Sequence, residues 1–140
     1  MPDTETIPNT ETMPDTKTSP NKTKKILIIH RKAPIGTAYA RDALDISLAA
    51  SAFDQEVSLL FMDDGVFQLK SGQDSSQVNL KGISATLPAL EMYDIKNVFV
   101  DEYSLSERGL QTADLIINPK PLSPTEVQDL LQQNDILLSF

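Results

Sequence analysis

From Lys25 onward, short apolar runs alternate with longer amphipathic stretches. Ile26-Leu27-Ile28-Ile29 is continuous, rich in β-branched residues and free of polar alternation, which predicts a strand covered on both faces. Val57-Ser58-Leu59-Leu60-Phe61-Met62, Val98-Phe99-Val100, Leu115-Ile116-Ile117 and Ile136-Leu137-Leu138 repeat that pattern and complete five predicted strands. Between the first two, residues 37–53 have the alanine-rich composition of a helix, entered through Pro34 and Gly36 and left at Asp54. Leu80, Ile83, Leu87 and Leu90 recur at helical spacing and predict a second helix, which Pro88 must kink or restart. Residues 104–109 read as a short helix closed by Gly109. The last helix has Ser123 as its cap, Pro124 at its first position, Glu126 closing a capping box, and Val127, Leu130 and Leu131 on one face. Strand and helix alternate throughout, so the expected fold is α/β: a five-stranded parallel sheet in the flavodoxin-like order 2-1-3-4-5 with helices on both faces.

Residues 1–24 follow another rule. Pro2, Pro8, Pro14 and Pro20 recur every six residues, each followed by Asp or Asn and then by threonine-rich sequence. Met1, Ile7 and Met13 are the only large apolar side chains there, too little to offset an ordering cost of about 1–2 kcal/mol per residue. The expected organisation is a disordered Thr/Pro repeat tail over residues 1–24 and one domain over residues 25–140. A length of 140 residues leaves room for one core. The absence of cysteine excludes disulfides, thiolate metal sites and any thiol chemistry on this polypeptide. A net charge of -8 argues against direct binding to a phosphate backbone. No apolar run approaches the roughly 20 residues of a membrane span, and no secretory pattern opens the chain, so a cytoplasmic location without membrane attachment is expected.

In sheets of this kind ligands meet the carboxyl ends of the strands. After the first strand stand His30, Arg31 and Lys32, followed by Ala33-Pro34-Ile35-Gly36-Thr37. Arg31 and Lys32 beside a helix start at Gly36 and Thr37 make an anion site one reading and a capped turn the other. The segment matches neither a P-loop nor a dinucleotide fingerprint. His30 is the sole histidine, and no nucleophile is paired with it by sequence. Asp63-Asp64-Gly65 and Asp101-Glu102 follow the second and third strands, where clustered carboxylates read either as a cation site or as turn residues. On the first helix Ala43, Ile46, Ala50 and Phe53 form one apolar stripe, and Leu44, Leu48 and Ala52 a second. Either a neighbouring helix or another subunit covers the second stripe. Val66-Phe67-Gln68-Leu69 adds an apolar loop where polar residues are the rule. Leu44, Leu48, Ala52, Phe67 and Leu69 are therefore the candidate partner interface, with no cofactor, metal or catalytic residue assigned.

Taken together, Ala33-Pro34-Ile35-Gly36-Thr37 with Arg41, Asp64-Gly65-Val66-Phe67-Gln68-Leu69, Tyr93-Asp94-Ile95, Leu105-Ser106-Glu107-Arg108-Gly109-Leu110 and Asp135-Ile136-Leu137-Leu138-Ser139-Phe140 resemble the TusC/DsrF branch of the DsrE-like sulfur-relay family. The resemblance implies a non-catalytic subunit of a TusBCD-like heterohexamer, a dimer of heterotrimers with TusB-like and TusD-like partners. Such a complex takes persulfide sulfur from TusA and passes it to TusE, toward 2-thiolation of the tRNA wobble uridine. The family's persulfide cysteine lies on the TusD or DsrE subunit, shortly before an Arg-Gly pair, and counting back from Arg108-Gly109 places Asp101 near that position. The resemblance equally allows a DsrF-like subunit of a DsrEFH complex in dissimilatory sulfur oxidation. Two readings stand outside it: a free-standing flavodoxin-like module binding an anion or nucleotide at Arg31, Lys32, Gly36 and Thr37, and an enzyme using His30 with Asp63 or Asp64.

Overall fold

The computed structural model describes residues 23–34, 38–72 and 86–140. Five strands, β1 (Lys25–His30), β2 (Glu56–Phe61), β3 (Asn97–Asp101), β4 (Lys120–Leu122) and β5 (Ile136–Ser139), form one sheet in the order β4-β3-β2-β1-β5. Every pairing between them is parallel. The class expected from the alternation of strand and helix is therefore the class observed. As in the order 2-1-3-4-5, the chain reverses direction across the sheet once, at β1. The strand beyond that reversal is β5, the position that the expected order gives to the second strand.

Residues alternating along β1 and β2 divide between two cores. On one face Ile26, Ile28, Val57, Leu59 and Phe61 pack with Ala40, Ala43 and Leu44 of α1 (Tyr39–Ala52). On the other, Leu27, Ile29 and Leu60 pack with Leu122 and with Val127 and Leu130 of the C-terminal helix, Pro124–Gln133. Because both faces are covered, β1 and β2 need no polar alternation, and each is buried after its first residue. A short helix, α2 (Glu102–Glu107), leaves β3 directly and ends at Arg108, with Gly109 at φ 68° as the left-handed residue that glycine supplies at a helix end. The C-terminal helix, α3, carries the expected reciprocal cap: Ser123 Oγ accepts from the Glu126 N–H at 3.3 Å, and the Glu126 carboxylate accepts from the Ser123 N–H at 2.9 Å.

Several expectations are corrected. Leu115-Ile116-Ile117 is not the fourth strand: Ile117 and Asn118 adopt left-handed backbone (φ 61° and 49°), and the sheet resumes at Lys120. Leu115 instead makes an isolated antiparallel bridge to Lys70. Of the predicted second helix, Leu80 and Ile83 lie outside the described residues, and Leu87–Tyr93 is a 3-10 helix with Pro88 in its first turn. Three residues per turn keep Leu87 and Leu90 on one side, and both are buried. The supposed loop after β2 is also a 3-10 helix, Asp63–Leu69, and Val66 and Leu69 within it belong to the core.

The candidate interface splits accordingly. Leu44 and Leu69 are fully buried inside the chain's own core, so they are not interface residues. Leu48 is half-buried and packs on that core, Phe67 is half-buried, and Ala52 is exposed. Of the other stripe, Ile46 and Phe53 face outward. The Thr/Pro repeat lies outside the described residues except for Thr23 and Lys24.

Candidate functional site at the carboxyl edge of the sheet

Strands β1, β2 and β3 end side by side, and each delivers a polar residue to the same edge. Asp101, the last residue of β3, is buried and caps α2: its Oδ2 accepts from the Ser104 N–H at 3.2 Å and from the Ser104 hydroxyl at 2.5 Å. The Ser104 Oγ in turn accepts the Asp63 N–H at 2.9 Å, which ties the end of β3 to the 3-10 helix that follows β2. Asp63 receives Arg31 Nε at 2.8 Å, and Asp64 receives Arg108 Nε at 3.0 Å. Arg108 also donates to the Ser104 carbonyl at 3.2 Å. The result is a continuous clasp from β1 through β2 to α2. Its acidic groups are already engaged by arginines or by the helix terminus.

His30 closes β1 from below. Its ring is fully buried and stacks on Phe61 of β2, with centroids 4.4 Å apart and planes inclined by 23°. Burial pushes its pKa down to about 4, an effect that Gln68 beside it partly opposes, so the imidazole is neutral near pH 7. Gln68 spends its amide N–H on the Lys32 carbonyl at 2.8 Å. Both His30 ring nitrogens and Gln68 Oε1 lack hydrogen-bond partners among the described residues. A ring sealed within the core has no route to a substrate, and the reading of His30 as a base working with Asp63 or Asp64 has no geometric support.

Above the clasp lies an open cavity of about 560 Å³ lined by Arg31, Lys32, Tyr39, Asp63, Asp64 and Phe140. Lys32 Nζ stands 6.0 Å above the centre of the Tyr39 ring. Of the proposed anion-binding group, Arg31 is neutralised by Asp63, while Gly36 and Thr37 lie outside the described residues. Among the described residues no three His, Asp or Glu side chains are grouped as a metal ion would require. Ser104, Arg108 and Gln68 complete the arrangement, and residue type alone does not mark them. The Asp-x-x-Ser spacing from Asp101 to Ser104, a helix-capping pattern, was the available signal for the first.

The DsrE/DsrF-like family model matches residues 24–140, the whole of the described domain. The chain belongs to the DsrE/DsrF-like family. Among its curated relatives, an intracellular sulfur oxidation protein DsrF from Allochromatium vinosum is 46% identical over 93 residues, covering 66% of this chain and 68% of that protein. A TusC homolog from Vibrio parahaemolyticus is 41% identical over 116 residues, 83% of this chain and 98% of its own length. A second TusC homolog, from Pseudomonas aeruginosa, is 40% identical over 118 residues, 84% and 99% of the two lengths. The resemblance to the TusC/DsrF branch therefore holds along nearly the entire domain. The crystal structure of the ychN protein from E. coli shares the fold, with a TM-score of 0.69 at 22% identity, covering 84% of this chain and 100% of that one.

Proposed function

We propose that this DsrE/DsrF-like chain is a non-catalytic subunit of a cytoplasmic sulfur-relay complex, assembled with TusB-like and TusD-like partners and passing persulfide sulfur toward 2-thiolation of the tRNA wobble uridine. The observation that carries this reading is the chemistry at Asp101. The chain has no cysteine, and the position near the family's persulfide carrier is occupied by a carboxylate committed to capping α2. A carboxylate cannot accept a sulfane sulfur, so the reactive atom must belong to another subunit. The clasp of Asp101, Ser104, Asp63 and Arg31 then serves to hold the carboxyl edge in one shape beside that subunit.

Leu48, Ala52 and Phe67 remain the proposed contacts with partners, now without Leu44 and Leu69. The test is reconstitution of two heterotrimers from this chain and TusB-like and TusD-like proteins, followed by light scattering. Co-elution as one particle is expected, with persulfide label confined to the cysteine-bearing subunit. Three proteins that never co-elute, or sulfur transfer by this chain alone, would overturn the reading. The similarity to DsrF favours a second reading, a DsrEFH-like complex in sulfur oxidation. Replacing the partners by DsrE-like and DsrH-like chains in the same experiment separates the two.

A further inference from the structure

The two edges of the sheet are built differently. At one edge β4 reads Lys120-Pro121-Leu122, and both Lys120 and Pro121 are exposed. A charged side chain and a residue without an N–H are common protections against pairing with another chain. At the other edge β5 reads Ile136-Leu137-Leu138-Ser139, with neither device, and Ile136 and Leu137 are 38% and 47% exposed.

The hydrogen bonds show which backbone groups are available there. Phe140 uses both its N–H and its C=O on β1, to the Ile29 carbonyl and from the Arg31 N–H, each at 2.9 Å. In an extended strand alternate residues turn their backbone groups the same way, so Leu138 also faces β1 while Leu137 and Ser139 direct their N–H and C=O groups away from the sheet. Those four groups are spaced to match a copy of themselves. If a second β5 runs antiparallel about a two-fold axis at Leu138, Leu137 stands opposite Ser139 of the other copy and all four groups of each copy are satisfied.

The same register pairs side chains sensibly. Ile136 falls opposite Phe140 and Leu138 opposite Leu138, on the face where Leu138 and Phe140 already pack on the core. Asp135, exposed just before the strand, stays outside the pairing: its carboxylate accepts the Lys25 N–H of its own β1 at 2.8 Å. We propose that the β5 edge is a self-complementary docking surface for a second copy of this chain, joining the two sheets into one by an isologous antiparallel pairing. The proposal is independent of the sulfur-relay reading: this contact needs no TusB-like or TusD-like protein, and partners held by Leu48, Ala52 and Phe67 need no contact at β5.

A four-residue strand buries less than the roughly 800 Å² per partner of a standard interface, so the pairing is a concentration-dependent equilibrium. Sedimentation equilibrium of the full chain should show the mass rising from 15.4 kDa toward twice that value between about 10 µM and 1 mM. Leu137→Pro removes an outward N–H, which no described residue accepts, and should hold the protein at the monomer mass with an unchanged circular dichroism spectrum. In the cysteine-free chain, Leu138→Cys places one thiol beside its two-fold mate, and oxidation should yield a disulfide-linked dimer. Should the proline variant fail to fold, the oxidised cysteine variant decides alone. A wild-type monomer throughout the range, a proline variant that still dimerises, or a cysteine variant that stays monomeric on oxidation would each overturn the proposal. Slow hydrogen exchange at the Leu137 and Ser139 amides in a monomer would likewise overturn it, by showing that the chain covers its own edge.

Discussion

Gly65 lies against the backbone of His30: a Cβ built on Gly65 would fall 1.9 Å from the His30 carbonyl oxygen. That oxygen also accepts the Met62 N–H at 3.0 Å, so the end of β1 and the turn into the 3-10 helix Asp63–Leu69 are held together at van der Waals limits. Any side chain at position 65 must push the two backbones apart. Gly65→Ala should destabilise the domain by about 1–3 kcal/mol, as overpacking in rigid surroundings does. Thermal denaturation at neutral pH should show a drop of several degrees.

His30 gives stability a definite pH dependence. Its folded pKa, about 4, lies below the unfolded value of 6.5, so between those values the unfolded chain binds more protons than the native one. The site's contribution is therefore fully present above pH 6.5, declines as the pH falls, and is lost by pH 4. The shift amounts to about 3 kcal/mol. His30→Phe keeps an aromatic ring against Phe61 and removes two nitrogens that have no partner among the described residues. Urea denaturation of both proteins at pH 7, 5.5 and 4 should show the variant holding its stability relative to wild type as the pH falls. Parallel losses in both would refute the assignment to His30.

How much of this was readable beforehand follows from which forces are local. The strands β1, β2, β3 and β5, helix α1 and the Ser123 capping box depend on periodicity and short-range hydrogen bonds, and the sequence pattern locates them. The fourth strand is illegible in the sequence because Leu115-Ile116-Ile117 is apolar enough for a strand, while the left-handed backbone at Ile117 and Asn118 is a tertiary outcome that no propensity announces. The burial of Leu44 and Leu69 in the chain's own core is likewise illegible, because periodicity shows that a face is apolar and not what covers it. At the site, counting back from Arg108-Gly109 reaches Asp101. Its partners are not legible, since Asp63 and Ser104 are 41 residues apart and meet only through the parallel register of β2 and β3.

Asp101 is held as a cap, which makes its energetic role separable from any role in sulfur transfer. Asp101→Ala removes the acceptor of both the Ser104 N–H and the Ser104 hydroxyl, and should lower stability by about 1–2 kcal/mol. Asp101→Asn keeps an oxygen acceptor and should recover most of that loss. In a reconstituted complex the asparagine variant should support sulfur transfer at the wild-type rate, measured by labelled persulfide passing to the acceptor. A loss of transfer with the fold intact would give the carboxylate a chemical part.

Leu69 and Phe67 stand two residues apart in one 3-10 helix and separate folding from assembly. Leu69 is fully buried and belongs to the main core cluster, so Leu69→Ala should cost the isolated domain about 2–5 kcal/mol, read by urea denaturation. Phe67 is half-buried, and Phe67→Asp should cost the isolated domain less than Leu69→Ala while reducing co-elution with TusB-like and TusD-like partners at least tenfold in the concentration required. The opposite order, with Phe67→Asp unfolding the domain and leaving assembly unaffected in whatever folded fraction remains, would place Phe67 in the core and move the partner surface to another part of the domain.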